Sequence, residues 1–155
     1  MSNMGKEFII QHPGLLVFEP GEVSPTLVVE TTASARDVAA SREHLRQHMA
    51  HAGVPLGLVV TPERVVLLRH RYTSYDANSI VVLADDLVPG LFGAEGSQVS
   101  FEAQVQRWLD GLPSGAGWEH LPSSLAAALR DEIVPVLLAG PVRTSGPRYE
   151  THASP

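Results

Sequence analysis

The sequence predicts an α/β domain with a mixed central sheet, a crossover helix and two C-terminal helices. Three observations carry that prediction. The run Leu27-Val28-Val29 lacks apolar–polar alternation, as a strand covered on both faces should. A stretch with apolar residues at three- and four-residue spacings follows it, and a second unalternating run, Leu56-Gly57-Leu58-Val59-Val60, comes next. Strand, helix and strand between residues 26 and 61 leave room for a right-handed crossover joining parallel strands.

In chain order, residues 7–11 (Glu-Phe-Ile-Ile-Gln) and 14–18 (Gly-Leu-Leu-Val-Phe) are apolar runs split by His12-Pro13, and they read as a hairpin leading into a strand at 26–30. Pro20-Gly21 and Ser24-Pro25 punctuate the connection. Ser34, with Asp37 after it, makes a capping-box-like helix start, and Gly53 a stop, which sets a helix over 35–52. Val38, Leu45, Met49 and Ala52 should form its sheet-facing stripe, while Arg36, Glu43 and Gln47 project away. Residues 56–60 and 64–69, joined by Thr61-Pro62-Glu63, form a second hairpin, and Ile80-Val81-Val82-Leu83 a further strand.

Beyond Pro89-Gly90 the periodicity becomes helical. Ser100 caps a segment in which Phe101, Val105, Trp108 and Leu109 share a face, ending near Gly111. Pro122 opens the last helix, which carries Leu125, Leu129 and Ile133 until Pro135 removes a backbone donor and bends or ends it. The expected organisation is a disordered start over 1–6 and a single domain over 7–139, with its core at 7–92 and a helical extension at 99–139. A flexible tail at 140–155 completes it.

A chain of 155 residues with 44% hydrophobic and 18% charged residues suits one domain with a real core. No apolar run approaches the roughly 18–20 residues of a membrane helix, and residues 1–7 lack a secretory apolar segment, so the expected compartment is the cytoplasm. With no cysteine, disulfides, thiolate nucleophiles and cysteine zinc sites are excluded. The net charge is −6, and only the middle third is mildly basic, so any nucleic-acid contact is local and weak. The sequence offers no phosphate-binding Gly-X-X-X-X-Gly-Lys loop, no dinucleotide fingerprint and no Gly-X-Ser-X-Gly elbow.

From Pro13 the order is Pro-Gly-Leu-Leu-Val-Phe, a turn, Leu-Val-Val-Glu-Thr-Thr ending at Thr32, then a helix and a hairpin. This resembles the PD-(D/E)XK nuclease superfamily, whose core presents an aspartate after a proline on one strand and Glu-X-Lys on the next. Ser24-Pro25-Thr26-Leu27-Val28-Val29-Glu30, the helix entry Ser34-Ala35-Arg36-Asp37 and Ala52-Gly53-Val54-Pro55 look most like two of its branches. One is the restriction endonuclease family abundant in cyanobacteria, the other the nuclease domain of type I restriction motor subunits. The resemblance covers about residues 13–92 and implies a restriction-endonuclease-like core with Glu30 as the surviving acid.

Gly14 stands where the superfamily places its metal-binding aspartate, Thr32 stands where it places lysine, and the only lysine in the chain is Lys6. In the family's chemistry paired carboxylates hold Mg²⁺ against the phosphate, and lysine steadies the developing charge. If activity survives, the resemblance assigns catalysis to Glu30 with Arg42 and Arg46 on the first helix. The Mg²⁺ ligands would be Glu30 with Glu19 or Glu22, migrated into the preceding loop. An arginine neutralises charge but, with a pKa above about 12, accepts no proton. The alternative for Glu30 is a strand-end carboxylate that accepts hydrogen bonds from the following helix or pairs with an arginine.

His44, His48 and His51 form a narrow stripe on the first helix, a spacing that allows a shared zinc ion or a pH-sensitive interface, although no carboxylate stands between them. Arg64, Arg69, His70, Arg71 and Tyr72 form a basic and aromatic patch, either a phosphate contact or a hairpin's solvated edge. Three functions stay open. The first is a pseudo-nuclease without cofactor, acting as a binding or assembly module with a protein partner or by self-association. The second is an active Mg²⁺-dependent DNA endonuclease, and the third a metal- or pH-sensing regulator.

Overall fold

The computed structural model describes residues 14–33, 38–71, 77–92, 97–119 and 121–144. Six strands form one mixed sheet: β1 (Leu15–Val17), β2 (Leu27–Thr31), β3 (Leu56–Val60), β4 (Arg64–His70), β5 (Ile80–Leu87) and β6 (Val142–Thr144). Their order across the sheet is β5-β4-β3-β2-β1-β6. Among the described strands only β2 and β3 run parallel, and helix α1 (Val38–Ala52) makes the crossover between them. The sequence prediction of a mixed sheet with a crossover helix is met.

Burial on both faces accounts for the unalternating strands. Val28, Val59, Val66 and Leu68 pack on one face with Leu45 and Met49 of α1. Leu27, Val29, Leu58, Val60 and Leu67 pack on the other with Phe101, Val105 and Leu109 of helix α2 (Gln98–Gly111) and with Leu125, Leu129 and Ile133. Each of these leucines, isoleucines and valines stabilises the fold by about 1.5–3 kcal/mol through removal from water. The sheet-facing side of α1 is turned from the expected stripe. Ser41, Leu45, Met49 and Ala50 are buried, whereas Val38 is half-buried and Ala52 exposed. Gly57 lets α1 sit close, since a Cβ there would lie 2.5 Å from Met49 Sδ and 2.9 Å from Leu45 Cδ2.

Several sequence expectations need correction. The expected strand at 7–11 and the Ser34/Asp37 cap lie outside the described residues, and β1 pairs with β2 and β6. β5 runs on to Leu87, past the expected end at Leu83. The cap of α2 is Ser97, whose hydroxyl accepts the Ser100 N–H at 3.1 Å, so Ser100 lies inside the helix. Of the two outcomes expected at Pro135, a bend or an end, the end does not occur. Helix α3 (Ser123–Ala128) passes through a π-turn at Leu129–Ile133, where the Val134 N–H reaches back to the Leu129 carbonyl, and continues as α4 (Val134–Ala139). The wider turn accommodates a residue that cannot donate a hydrogen bond.

The tail expected from residue 140 starts with structure instead. Val142–Thr144 is a strand in register with β1, with Leu16 opposite Arg143. Gly140 makes this approach possible, because a Cβ there would overlap the carbonyl oxygen of Phe18. Gly140→Ala is therefore expected to push β6 off β1 and to cost about 1–3 kcal/mol, the usual range for overpacking. The denaturant midpoint measures this; an unchanged midpoint would contradict the close approach.

Candidate functional site

The parallel pair β2–β3 directs attention to the carboxyl ends of its strands, the usual place for a ligand in a sheet with a crossover. Alternation along β2 turns Val28 and Glu30 toward α1, and Val29 and Thr31 toward α2. The crossover folds α1 back over β2 and β3, which brings its second turn above Glu30. Nδ1 of His44 lies 2.9 Å from Glu30 Oε1. The carboxylate side chain is only 15% exposed and the imidazole 35%, so the contact is partly shielded from water. Glu30 is thus engaged by the helix that follows it, through a histidine where the sequence suggested backbone groups or an arginine.

The other face of the same strand end holds a polar cluster that the sequence did not reveal. Gln98, in the first turn of α2, accepts the Ala33 N–H at 2.8 Å and donates to the Thr31 carbonyl at 2.8 Å and to Thr31 Oγ1 at 2.9 Å. One side chain therefore satisfies the backbone where β2 stops pairing, and it fastens α2 to the strand. Beside it, a Cβ added at Gly14 would meet Thr31 Oγ1 at 3.1 Å and Glu102 Oε1 at 3.2 Å. The space that a side chain at position 14 would enter is filled by the Glu102 carboxyl and the Thr31 hydroxyl.

The remaining predicted residues are spread around the fold. Glu19 and Glu22 share the loop between β1 and β2, with the Glu22 N–H donating to the Glu19 carbonyl. That loop feeds the start of β2, whereas Glu30 is three residues further along, about 10 Å by strand rise. Arg42 pairs with Asp85 on β5 at 3.1 Å, three strands from β2 and so about 14 Å across the sheet. Arg46 pairs with Glu43 at 2.9 Å on the same helix. The Glu43 carboxyl is held below its usual range, mainly by the Gln47 side chain and then by Arg46.

Neither the histidine stripe nor the basic patch behaves as one unit. His44 faces Glu30, His48 is half-buried and His51 is exposed. Among the described residues no group of three or more His, Asp or Glu side chains converges to hold a metal ion. β4 is an interior strand, so the patch is not a hairpin's open edge, and His70 is buried at 1% exposure. Arg64 joins Arg42 on Asp85, at 2.5 Å, and Arg69 binds Glu132 on the π-turn at 3.0 Å. Arg71 is exposed just beyond β4. No described helix is long and apolar enough to cross a membrane. Comparisons with protein-family models, curated proteins and solved structures found no match for this chain.

Chemically, this strand end offers the Glu30 carboxylate in contact with an imidazole on one face, and on the other an amide–hydroxyl cluster with the Glu102 carboxyl beside it. A divalent magnesium site takes several oxygens at about 2.0–2.1 Å and prefers open water positions. The donor seen against Glu30, a histidine nitrogen, is not one of the oxygens that such a site calls for. Glu30→Ala and His44→Ala are each expected to lower stability by about 1–2 kcal/mol, and together by less than their sum, with a coupling of about 0.5–1.5 kcal/mol. A double-mutant cycle in denaturant reads the coupling; strict additivity would show that the pair contributes nothing.

Proposed function

We propose that this protein is a restriction-endonuclease-like domain that has lost nuclease activity and serves as a non-catalytic binding or assembly module. The observation that carries the reading is the contact between Glu30 and His44, which engages the one acid that the resemblance leaves on β2. A nuclease of this kind needs a second carboxylate beside Glu30, and position 14, where the resemblance expects one, is a glycine whose added Cβ would meet Thr31 and Glu102 on the other face of β2. The topology supports the resemblance: an antiparallel β1–β2 pair, a crossover helix, a parallel β3 and an antiparallel β4 follow the order of strands, helix and hairpin that the resemblance implies.

Electrostatics agree with the loss. Two of the three arginines on the basic patch, and one on α1, are held by Asp85 or Glu132. Phosphate binding would have to break these pairs first, and the chain's net charge of −6 adds no general attraction for nucleic acid. A protein partner, or a second copy, suits this surface better. The regulator reading keeps one supporting observation, the Glu30–His44 contact, although among the described residues no third ligand converges there to hold a metal.

Purified protein is expected to leave supercoiled plasmid and single-stranded DNA intact in Mg²⁺ or Mn²⁺ over hours. Agarose and denaturing gels are the readout. Nicking that disappears in Glu30→Ala would overturn the non-catalytic reading in favour of an active enzyme.

A further inference from the structure

The sheet has two ends of unlike character. At one, β6 is three residues long. At the other, β5 runs eight residues, and among the described residues no strand lies beyond it. An edge of that length presents a row of outward backbone donors and acceptors, which is a template for another strand. Its side chains add apolar surface in the same place: Val82 is 45% exposed, Leu83 39% and Leu87 57%.

We propose that β5 is a self-association edge, on which a second copy of this chain adds its own β5 antiparallel to form one continuous sheet across a two-fold axis. The inference gives the assembly role proposed above a specific partner, and it rests on that reading for its biological sense though not for its geometry. The argument for a second copy comes from how charge is distributed along the strand. β5 is apolar in its first half (Ile80-Val81-Val82-Leu83) and acidic in its second (Asp85-Asp86). A parallel pairing would set each aspartate against its own counterpart, which is destabilising. An antiparallel pairing centred between Leu83 and Ala84 instead sets Val81 and Val82 against Asp86 and Asp85 of the second copy.

That register also matches charges. Arg69 of β4 stands directly opposite Val81 within each copy. Asp86 of the second copy would therefore lie two strand spacings, about 10 Å between α-carbons, from Arg69, close enough to join the Arg69–Glu132 pair as a second acceptor without breaking it. Both point to the same face, since Asp86 accepts the Ser124 hydroxyl and Arg69 binds Glu132, all on the side of the last helix. Arg71, hydrogen-bonded through its N–H to the Ser79 carbonyl, adds a second cation at that end. The two-fold repeats these contacts, so each copy gives and receives one set.

The strand also limits what can pair with it. Between Leu67 and Leu68 the register to β5 shifts, leaving Leu83 as a bulge residue. A bulge bends and twists the strand and discourages flat, open-ended growth. With one long edge per copy among the described residues, the association closes at two. An interface of one strand pair is small, so the dimer should be concentration-dependent rather than obligate.

Sedimentation equilibrium of the full chain over a wide concentration range tests this. The expected result is a mass rising from 16.6 kDa toward twice that value. Val82→Lys and Asp86→Lys should each raise the dimer dissociation constant at least tenfold while far-UV circular dichroism stays unchanged. Hydrogen exchange on the unmodified protein guards against a misfolded variant: amides of residues 80–87 should slow as concentration rises. A single monomer mass up to the solubility limit overturns the proposal, as does a dimer whose β5 amides exchange at the monomer rate. Neither result touches the non-catalytic reading, which stands or falls on DNA nicking.

Discussion

Everything around the candidate site follows from the burial of β2 on both faces. Leu27, Val28 and Val29 are fully buried, and the strand emerges from that core at Glu30 and Thr31 with polar side chains pointing to opposite sides. A polar group leaving a dry core needs a partner or it costs about 1–3 kcal/mol. Each side supplies one: His44 from α1 meets Glu30, and Gln98 from α2 meets Thr31 and the backbone beyond it. The strand end becomes the point where both helical layers are fastened to the sheet.

That fastening bears directly on chemistry. A carboxylate that holds a metal must keep oxygens available and stand beside a second acid. Here the acid of β2 is engaged across the crossover, and the residue just before β1 is a glycine that approaches Glu102 and Thr31 on the other face. The arrangement uses these polar groups as ties between layers. The arginines show the same tendency, since Arg42 and Arg64 converge on Asp85 and link α1, β4 and β5.

Much of the fold was legible in the sequence because its signals are local. Unalternating Leu27-Val28-Val29 announced a strand buried on both sides, and the 3- and 4-residue spacing of Leu45 and Met49 announced the helix that covers it. What escaped depends on distant residues. Val142–Thr144 includes Arg143 and Thr144, both exposed, and is a strand only because β1 offers it an edge and Gly140 lets it in. The π-turn before Pro135 has no sequence signature beyond the proline itself. Glu30 and His44 each stood out alone, but their contact exists only once the crossover is folded. A single glutamine such as Gln98 carries no local sign that it will bridge a strand end. Gly14 looked like a vacancy in the sequence and proved to be a close approach.

The central claim is that Glu30 is a structural carboxylate rather than a metal ligand. A metal that binds the folded state raises the melting temperature in proportion to its occupancy. The most direct test is thermal unfolding with increasing MnCl₂, compared between the unmodified protein and Glu30→Ala. The account predicts that manganese shifts both proteins alike, with no saturable component. A saturable rise present in the unmodified protein and lost in Glu30→Ala would contradict it.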